Sequence, residues 1–566
     1  MRVAEAVGRL LAAHGVERVF GVVGSGNFHV TNALVAAGAR YVAARHEAGA
    51  ATMADAYARM SGPAGRVGVA TVHQGPGLTN AMTGITEAAK SRTPLLVLAA
   101  DTAAGAVRSN FRVDQDGLVT AVGAVAERVH GPDSVVEDVA RAYRRALAER
   151  RTVVLNLPLD VQAAEVEAAA VESAAAEAAL PAEPAPAPTA GPEAVAALAT
   201  LLSSARRPVF VAGRGARAAG GPLRELAAAC GALLATSAVA KGLFAGDPYD
   251  LDVSGGFASP LAAELIGGAD VLVGWGCALN MWTMRHGRLI GPGTTVVQVD
   301  LEEGALGAHR PVDLGVVGDV ALTATAVLAV LSALARDSAD AAIEYRGYRS
   351  PELAARLAAE VRWRDVPYDD LGGDGRIDPR TLTLAVDGMV PAERIVAVDS
   401  GNFMGYPSMF LSVPDQDGFC FTQAYQSIGL GLASAVGAAL ARPDRLPVAA
   451  VGDGGLLMSA AELETVARLE LGMLVLVYDD EAYGAEVHHF GPDGAPLDTV
   501  RFPPTDVAAI GRGYGLDALT VREPDDLAPV ADWVANRPRH GRSLLVHAKV
   551  ASDGGSWWLA EAFRGH

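Results

Sequence analysis

Cysteine is nearly absent from this 566-residue chain, with Cys230, Cys277 and Cys420 far apart and without metal-ligand spacing. Neither a disulfide framework nor a zinc site is indicated, and the compartment reads as reducing and cytoplasmic. Positive charge is also short. Against 65 Asp and Glu stand 46 Lys and Arg, leaving a formal net charge of -19. That balance argues against a nucleic-acid or anionic-membrane partner, since both reward clustered basic residues. No apolar run approaches the roughly 20 residues needed to span a bilayer. The opening stretch VAEAVGRLLAAHGVERVFGV interleaves charge with helical apolar spacing, unlike the unbroken core of a signal peptide. What is present is apolar residue in quantity, 51% of the chain, enough to fill the three or four cores expected at about 150 residues per domain. A small-molecule enzyme is the class this composition leaves open.

Residues 1–163 alternate short Val/Leu/Ala runs (VERVFGVVG, GRVGVATVH, PLLVLAAD, RTVVLNLP) with helical stretches such as EAGAATMADAYARM. That alternation predicts a parallel sheet covered by helices. Over 164–193 the composition collapses to Ala, Glu and Pro, which reads as a linker running over the surface. A second α/β block at 194–335 holds RPVFVAG, ADVLVGWG and TTVVQVDL, and a charged, Gly-punctuated connection follows at 336–377. The third block, 378–566 with a C-terminal tail, holds ERIVAVDSG, LPVAAVGDGG, LGMLVLVYDD and RSLLVHAKV. The expected fold class is α/β, with three parallel-sheet domains of similar size.

In the third block the run LPVAAV ends in Gly452-Asp453-Gly454-Gly455, a helical pattern follows, and the next strand ends in Asp479-Asp480. Ligands of open parallel sheets bind at the carboxyl ends of strands, so both acidic loops lie where a ligand would sit. Glycines beside Asp453 allow close backbone approach to a phosphate, and hard oxygens from two loops suit Mg²⁺. The alternative is that each acid caps a helix. Neighbours on a strand point to opposite faces, so one of the paired acids can be functional while the other is solvated or caps the next turn.

These motifs resemble the thiamine diphosphate enzymes of the acetolactate synthase and 2-oxo acid decarboxylase superfamily, whose signature is GDG followed, after a helix and a strand, by paired asparagines. Here YDDEAYG stands where the family usually reads LNNGGYG. The resemblance implies that Asp453, Asp480 and the carbonyl of Ala482 bind Mg²⁺, with an added negative charge from Asp in place of Asn. A second similar stretch is RHEAGAATMADAYAR, residues 45–59, close to the family's RHEQGAAHMADGYAR. It implies that Glu47 hydrogen-bonds the aminopyrimidine of thiamine diphosphate and activates it, in a pocket dry enough to keep the acid partly protonated. Ile428 is implied as the apolar support beneath the bent cofactor, although an isoleucine alone reads as core. Gly401 and Asn402 approach the pyrimidine, and Gly452, Gly454, Gly455 and Tyr483 complete the implied cofactor set. In the family the glutamate and the diphosphate loops meet across a subunit interface, so a homo-oligomer is implied, a dimer at minimum and a tetramer by expectation. The three domains become pyrimidine-binding, central and diphosphate-binding.

The substrate side fits no single subfamily. The FQE segment of acetolactate synthases is replaced by Asn110-Phe111-Arg112, and the middle block reads GWGCALNMWTMRHG where those enzymes carry a flavin-contacting stretch, so FAD is doubtful. His73 and Ser25 align with active-site residues of benzoylformate decarboxylase, and Glu486 with a catalytic glutamate of pyruvate decarboxylase. With Gln74 and Arg112, Ser25 and His73 form the candidate substrate set. Each has a plainer reading: His73 bonding a backbone carbonyl, Glu486 solvated on a helix, Arg112 pairing at the surface. His488 and His489 could line the pocket or pair with acids. Trp557 and Trp558 could close over the site or anchor the tail. The expected activity is decarboxylation of a 2-oxo acid with transfer of the acyl carbanion to a carbonyl acceptor. The runner-up is a simple 2-oxo acid decarboxylase; a flavin-dependent oxidase of the pyruvate oxidase kind is a further alternative.

Overall fold

A computed structural model describes residues 1–62, 66–179, 187–337, 347–537, 541–552 and 558–559. It contains three six-stranded sheets, each with every pair parallel. The first is built from β1 (Arg18–Gly21), β2 (Arg40–Ala43), β3 (Gly68–Val72), β4 (Leu95–Asp101), β5 (Val125–Arg128) and β6 (Thr152–Pro158), in the order β2-β1-β3-β4-β6-β5. The second holds β7 (Pro208–Ala212), β8 (Leu233–Thr236), β9 (Asp250–Val253), β10 (Val271–Trp275), β11 (Thr295–Asp300) and β12 (Leu314–Val317), in the order β12-β11-β10-β7-β8-β9. The third holds β13 (Arg394–Val398), β14 (Phe419–Phe421), β15 (Leu446–Gly452), β16 (Leu474–Asp479), β17 (Asp517–Val521) and β18 (Leu544–Lys549), in the order β14-β13-β15-β16-β18-β17. Numbered within its own sheet, the third order repeats the first.

Helices cover both faces, which is why the central strands read as unbroken apolar runs rather than alternating ones. All seven residues of β4 and all six of β16 are buried. β15 and β16 pair with Gly452 opposite Tyr478, so the loops that leave their ends, one at Asp453 and one at Asp480, are neighbours.

Part of the Ala/Glu/Pro-rich stretch is helical. Ala168–Ala178 is helical and fully buries Val171 against the helix Val3–Ala13, and Arg9 reaches Glu172 at 3.4 Å. Alanine forms helix readily, and the neighbouring helix supplies the apolar surface that the segment lacks. In the second connection, Ser350 caps the helix Pro351–Glu360, and Leu357 and Val361 join the core of the middle domain. Among the described residues no helix is long and apolar enough to cross a membrane.

The first and third domains meet through the helices Glu47–Met60 and Gly431–Ala441. The contact is close enough that a Cβ on Gly437 would lie 2.1 Å from the carbonyl oxygen of Met53. Gly437→Ala is therefore expected to force the helices apart and cost about 1–3 kcal/mol. A thermal midpoint equal to that of the parent protein would show that this approach carries no stability.

Candidate functional site

A cavity of about 810 Å³ opens at the carboxyl ends of the third sheet. Its floor is the loop Gly452 to Gly455, its walls are Gly401 to Met404, Ile428, Met458 and Asp480 to His488, and Trp282 reaches it from the middle domain. The glycines are required by what packs on them. A Cβ on Gly484 would lie 2.2 Å from the Asp480 carboxylate, one on Gly454 would lie 2.9 Å from the Tyr483 ring, and one on Gly455 would lie 2.3 Å from the Asp399 carboxylate. Asp399 is fully buried and accepts from the backbone N–H groups of Ser400, Gly429 and Leu430 at 2.9 to 3.2 Å. It thereby fixes the turn that presents Ile428, while burial pushes its carboxyl up to about 6 against those N–H groups.

Asp453 and Asp480 face this cavity in a strained electrostatic state. Burial, followed by the charges of Asp479 and Asp480, pushes Asp453 up to about 8. Burial and the charge of Asp479 push Asp480 up to about 6, although its carboxylate accepts from Ala482 N at 3.2 Å. Two hard carboxylates whose charges oppose one another suit a divalent cation. Among the described residues no cluster of three or more His, Cys, Asp or Glu side chains is arranged for a metal. Asp453, Asp480 and Ala482 all line the cavity, so two carboxylates and one backbone carbonyl lie on the same wall.

Asp479 is neither solvated nor aimed at the cavity. It is 1% exposed, paired with His547 and Lys549, and caps the next turn by accepting from Glu481 N at 2.9 Å.

A second cluster lies on the first domain. The strand β3 delivers His73, whose Nδ1 lies 2.8 Å from the Gln74 carbonyl and whose Nε2 lies 3.3 Å from Ser25 Oγ. A carbonyl only accepts, so Nδ1 donates; in the neutral ring Nε2 is then the acceptor for the Ser25 hydroxyl. The plainer reading of His73, a bond to a backbone carbonyl, is thus observed, and the Ser25 hydroxyl stands at the other ring nitrogen. The Phe111 ring stands edge-on to His73 with centroids 5.1 Å apart, and Gly75, at φ 66, leaves room for the Phe111 carbonyl. Gln74 is buried against Gly26, and Arg112 is exposed, with no partner for its guanidinium among the described residues. Glu47 opens its helix half-buried, and Asn80 Nδ2 donates to it at 3.1 Å.

Among the described residues of one chain, the cavity brings together Gly401, Asn402, Ile428, Gly452 to Gly455, Asp480, Ala482, Tyr483 and Glu486. Ser25, Glu47, His73, Gln74 and Arg112 are not in its lining. His488 lines it, and the His489 ring stands edge-on to Phe490 at 4.6 Å. Trp558 is 2% exposed and edge-on to Tyr406, so it is buried by apolar contact rather than standing over the site; Trp557 lies outside the described residues. Sequence reasoning missed Glu462, a buried acid of the third domain. It accepts from the backbone N–H of Arg45 and His46 at 3.0 and 3.1 Å and so holds the start of the Glu47 helix. No local pattern marks a contact 417 residues long.

Three α/β domains, with a cavity lined by glycines and acids at the strand ends of the last, have the form of an enzyme that works on a small molecule. Residues 1–120 match the thiamine pyrophosphate enzyme N-terminal TPP binding domain, 195–327 the central domain and 399–548 the C-terminal TPP binding domain. The chain belongs to the thiamine pyrophosphate enzyme family. A probable 2-ketoarginine decarboxylase of Pseudomonas aeruginosa is 33% identical over 92% of this chain and 89% of its own. A sulfoacetaldehyde acetyltransferase of Rhodobacter capsulatus is 27% identical, covering 100% of this chain and 96% of its own. A probable acetolactate synthase large subunit of Methanocaldococcus jannaschii is 26% identical over 93% and 88%.

Proposed function

We propose that the protein decarboxylates a 2-oxo acid with thiamine diphosphate and Mg²⁺, and that the product is released as an aldehyde. Asp453, Asp480 and the Ala482 carbonyl would hold the cation, the glycines 452, 454 and 455 would admit the diphosphate, and Ile428 would support the cofactor from below. When bound, thiamine diphosphate supplies the electron sink for the carboxylate's departure. Glu47 would hold a proton at the pyrimidine, and Ser25, Gln74 and Arg112 would bind the substrate carboxylate. Two copies of the chain are needed, the first-domain set of one completing the cavity of the other; a dimer is the minimum and a tetramer the larger candidate.

The observation that carries the aldehyde reading is the Ser25–His73 pair at 3.3 Å, a hydroxyl and an imidazole able to pass a proton to the reacting carbon. Glu486, in the cavity, is the second candidate donor. The relative named as a 2-ketoarginine decarboxylase agrees. Transfer to a carbonyl acceptor is the second reading, supported by the relatives named as an acetyltransferase and as an acetolactate synthase.

Product analysis by NMR separates the two. With cofactor, Mg²⁺ and a panel containing pyruvate and 2-ketoarginine, aldehyde and CO₂ alone are expected, and carbon-carbon coupled products would establish the carboligase instead. His73→Ala is expected to lower kcat/KM by about 10²–10⁴. A loss below threefold would remove His73 from the proton path.

A further inference from the structure

The turn that carries Asp480 and Ala482 is held from behind by a buried ionic cluster. β16 and β18 pair with Val477 opposite His547 and Asp479 opposite Lys549, which brings these three polar side chains together at the ends of two otherwise apolar strands. His547 and Lys549 are 2% and 4% exposed. Asp479 Oδ2 lies 2.5 Å from His547 Nε2 and accepts from Lys549 Nζ at 2.6 Å. The same ammonium donates to Glu481 Oε1 at 2.8 Å, and Arg376 donates to Glu481 Oε2 at 2.5 Å and to the Val550 carbonyl at 3.1 Å.

Two consequences follow from this arrangement. First, Lys549 ties together the two acids that flank Asp480 in the chain, and Glu481, which stands between Asp480 and Ala482, adopts φ 57, a left-handed backbone that a glutamate holds only at a cost. The turn therefore needs an external clamp to keep Asp480 and Ala482 facing the cavity. Second, Lys549 and Arg376 match the charges of Asp479 and Glu481, so that among the described residues Asp453 and Asp480 of this acidic group face the cavity with no direct ion pair, Arg376 acting on Asp480 only from a distance. An uncharged residue at position 479 would need no buried ammonium.

We propose that Lys549 and Arg376 are positioning residues for thiamine diphosphate and Mg²⁺, acting through Asp479 and Glu481 to hold the metal-binding turn and to cancel the charge of its flanking acids. The proposal rests on the cofactor reading above. Its test is the dissociation constant of thiamine diphosphate, measured by titration calorimetry at saturating Mg²⁺, beside circular dichroism and the thermal midpoint of the cofactor-free protein. K549M is expected to weaken binding at least tenfold while the fold remains intact at the working temperature. Removing the matching acid as well, in D479N/K549M, is expected to restore binding to within about threefold of the parent. A K549M protein that melts earlier yet binds the cofactor like the parent would reduce the cluster to a stability device and overturn the proposal. So would a double variant that binds no better than K549M. If K549M does not fold, R376M decides, because Arg376 is partly exposed: at least fivefold weaker binding is expected, and unchanged binding overturns the clamp. A parent protein that binds no thiamine diphosphate would instead overturn the cofactor reading itself, and the clamp with it.

Discussion

Replacing Glu47 with Gln is expected to leave the affinity for thiamine diphosphate within a few-fold of the parent while slowing exchange of the cofactor's C2 proton by about 10²–10⁴. The side chain keeps its shape, and the Asn80 amide that donates to Glu47 Oε2 at 3.1 Å can still meet an amide oxygen. What is lost is the capacity to exchange a proton. Glu47 is the first residue of its helix, and the helix start is fastened by Glu462 through the N–H groups of Arg45 and His46. A Cβ on Gly49 would lie 2.4 Å from that same carboxylate, so the third domain grips this turn closely. Gln at 47 leaves the fastening untouched, which makes the expected effect chemical rather than structural. Proton exchange followed by NMR on the loaded protein reads it directly. Unchanged exchange would remove Glu47 from the activating role, and a collapse of cofactor affinity would make it a binding residue.

The second large effect concerns stability. Arg59 lies at the junction of all three domains with its side chain 9% exposed, and it bridges Asp55 and Glu87, whose carboxylates are fully buried. Its Nε and Nη2 donate to Asp55 at 2.8 and 2.6 Å, Nη2 also to Glu87 at 2.9 Å, and Nη1 to the Phe421 carbonyl at 3.1 Å. Arg217 of the middle domain donates to the Arg59 carbonyl at 2.8 Å and to Asp417 of the third at 2.9 Å. Glu87 is buried, yet Arg59 and the N–H groups of Tyr425 and Ala424 hold it below its ordinary value. Arg59→Ala would strand two carboxylates in the interior. Breaking a buried ion pair from one side costs about 3–5 kcal/mol, a large share of the 5–15 kcal/mol typical of a domain. A denaturant midpoint that implies a loss under 1 kcal/mol would mean that water enters the junction and resolvates the acids.

The sheets were legible in the sequence because parallel strands covered on both faces leave continuous apolar runs, as LGMLVLVY does before Asp479. The GDG loop and the second acid were legible for the same reason: a strand end, a glycine and a carboxylate fall at fixed spacing. The strand order was not legible, since it depends on crossovers that no local pattern records. Nor was the partner of Asp479. RSLLVHAKV carried the signal, an apolar strand ending in His547 and Lys549, but charged residues at a strand end read as solvated until the neighbouring strand is known. The helix in the Ala/Glu/Pro-rich segment was not legible for a related reason: it borrows its burial from the helix Val3–Ala13, which lies far away in the sequence.

The first and third sheets share one strand order, and their domains touch through helices that occupy the same place in each, between the second and third strands. That is the contact a symmetric dimer would make, enclosed within a single polypeptide. Two identical subunits must keep such a surface complementary to itself, so each change appears twice. Two domains of one chain are free of that constraint. Gly437 can give way to the Met53 carbonyl on one side alone, and equivalent strand ends are free to diverge in chemistry, with the imidazole of His73 after β3 and the carboxylate of Asp453 after β15. The two domains share a strand order and differ in the side chains they carry at equivalent strand ends.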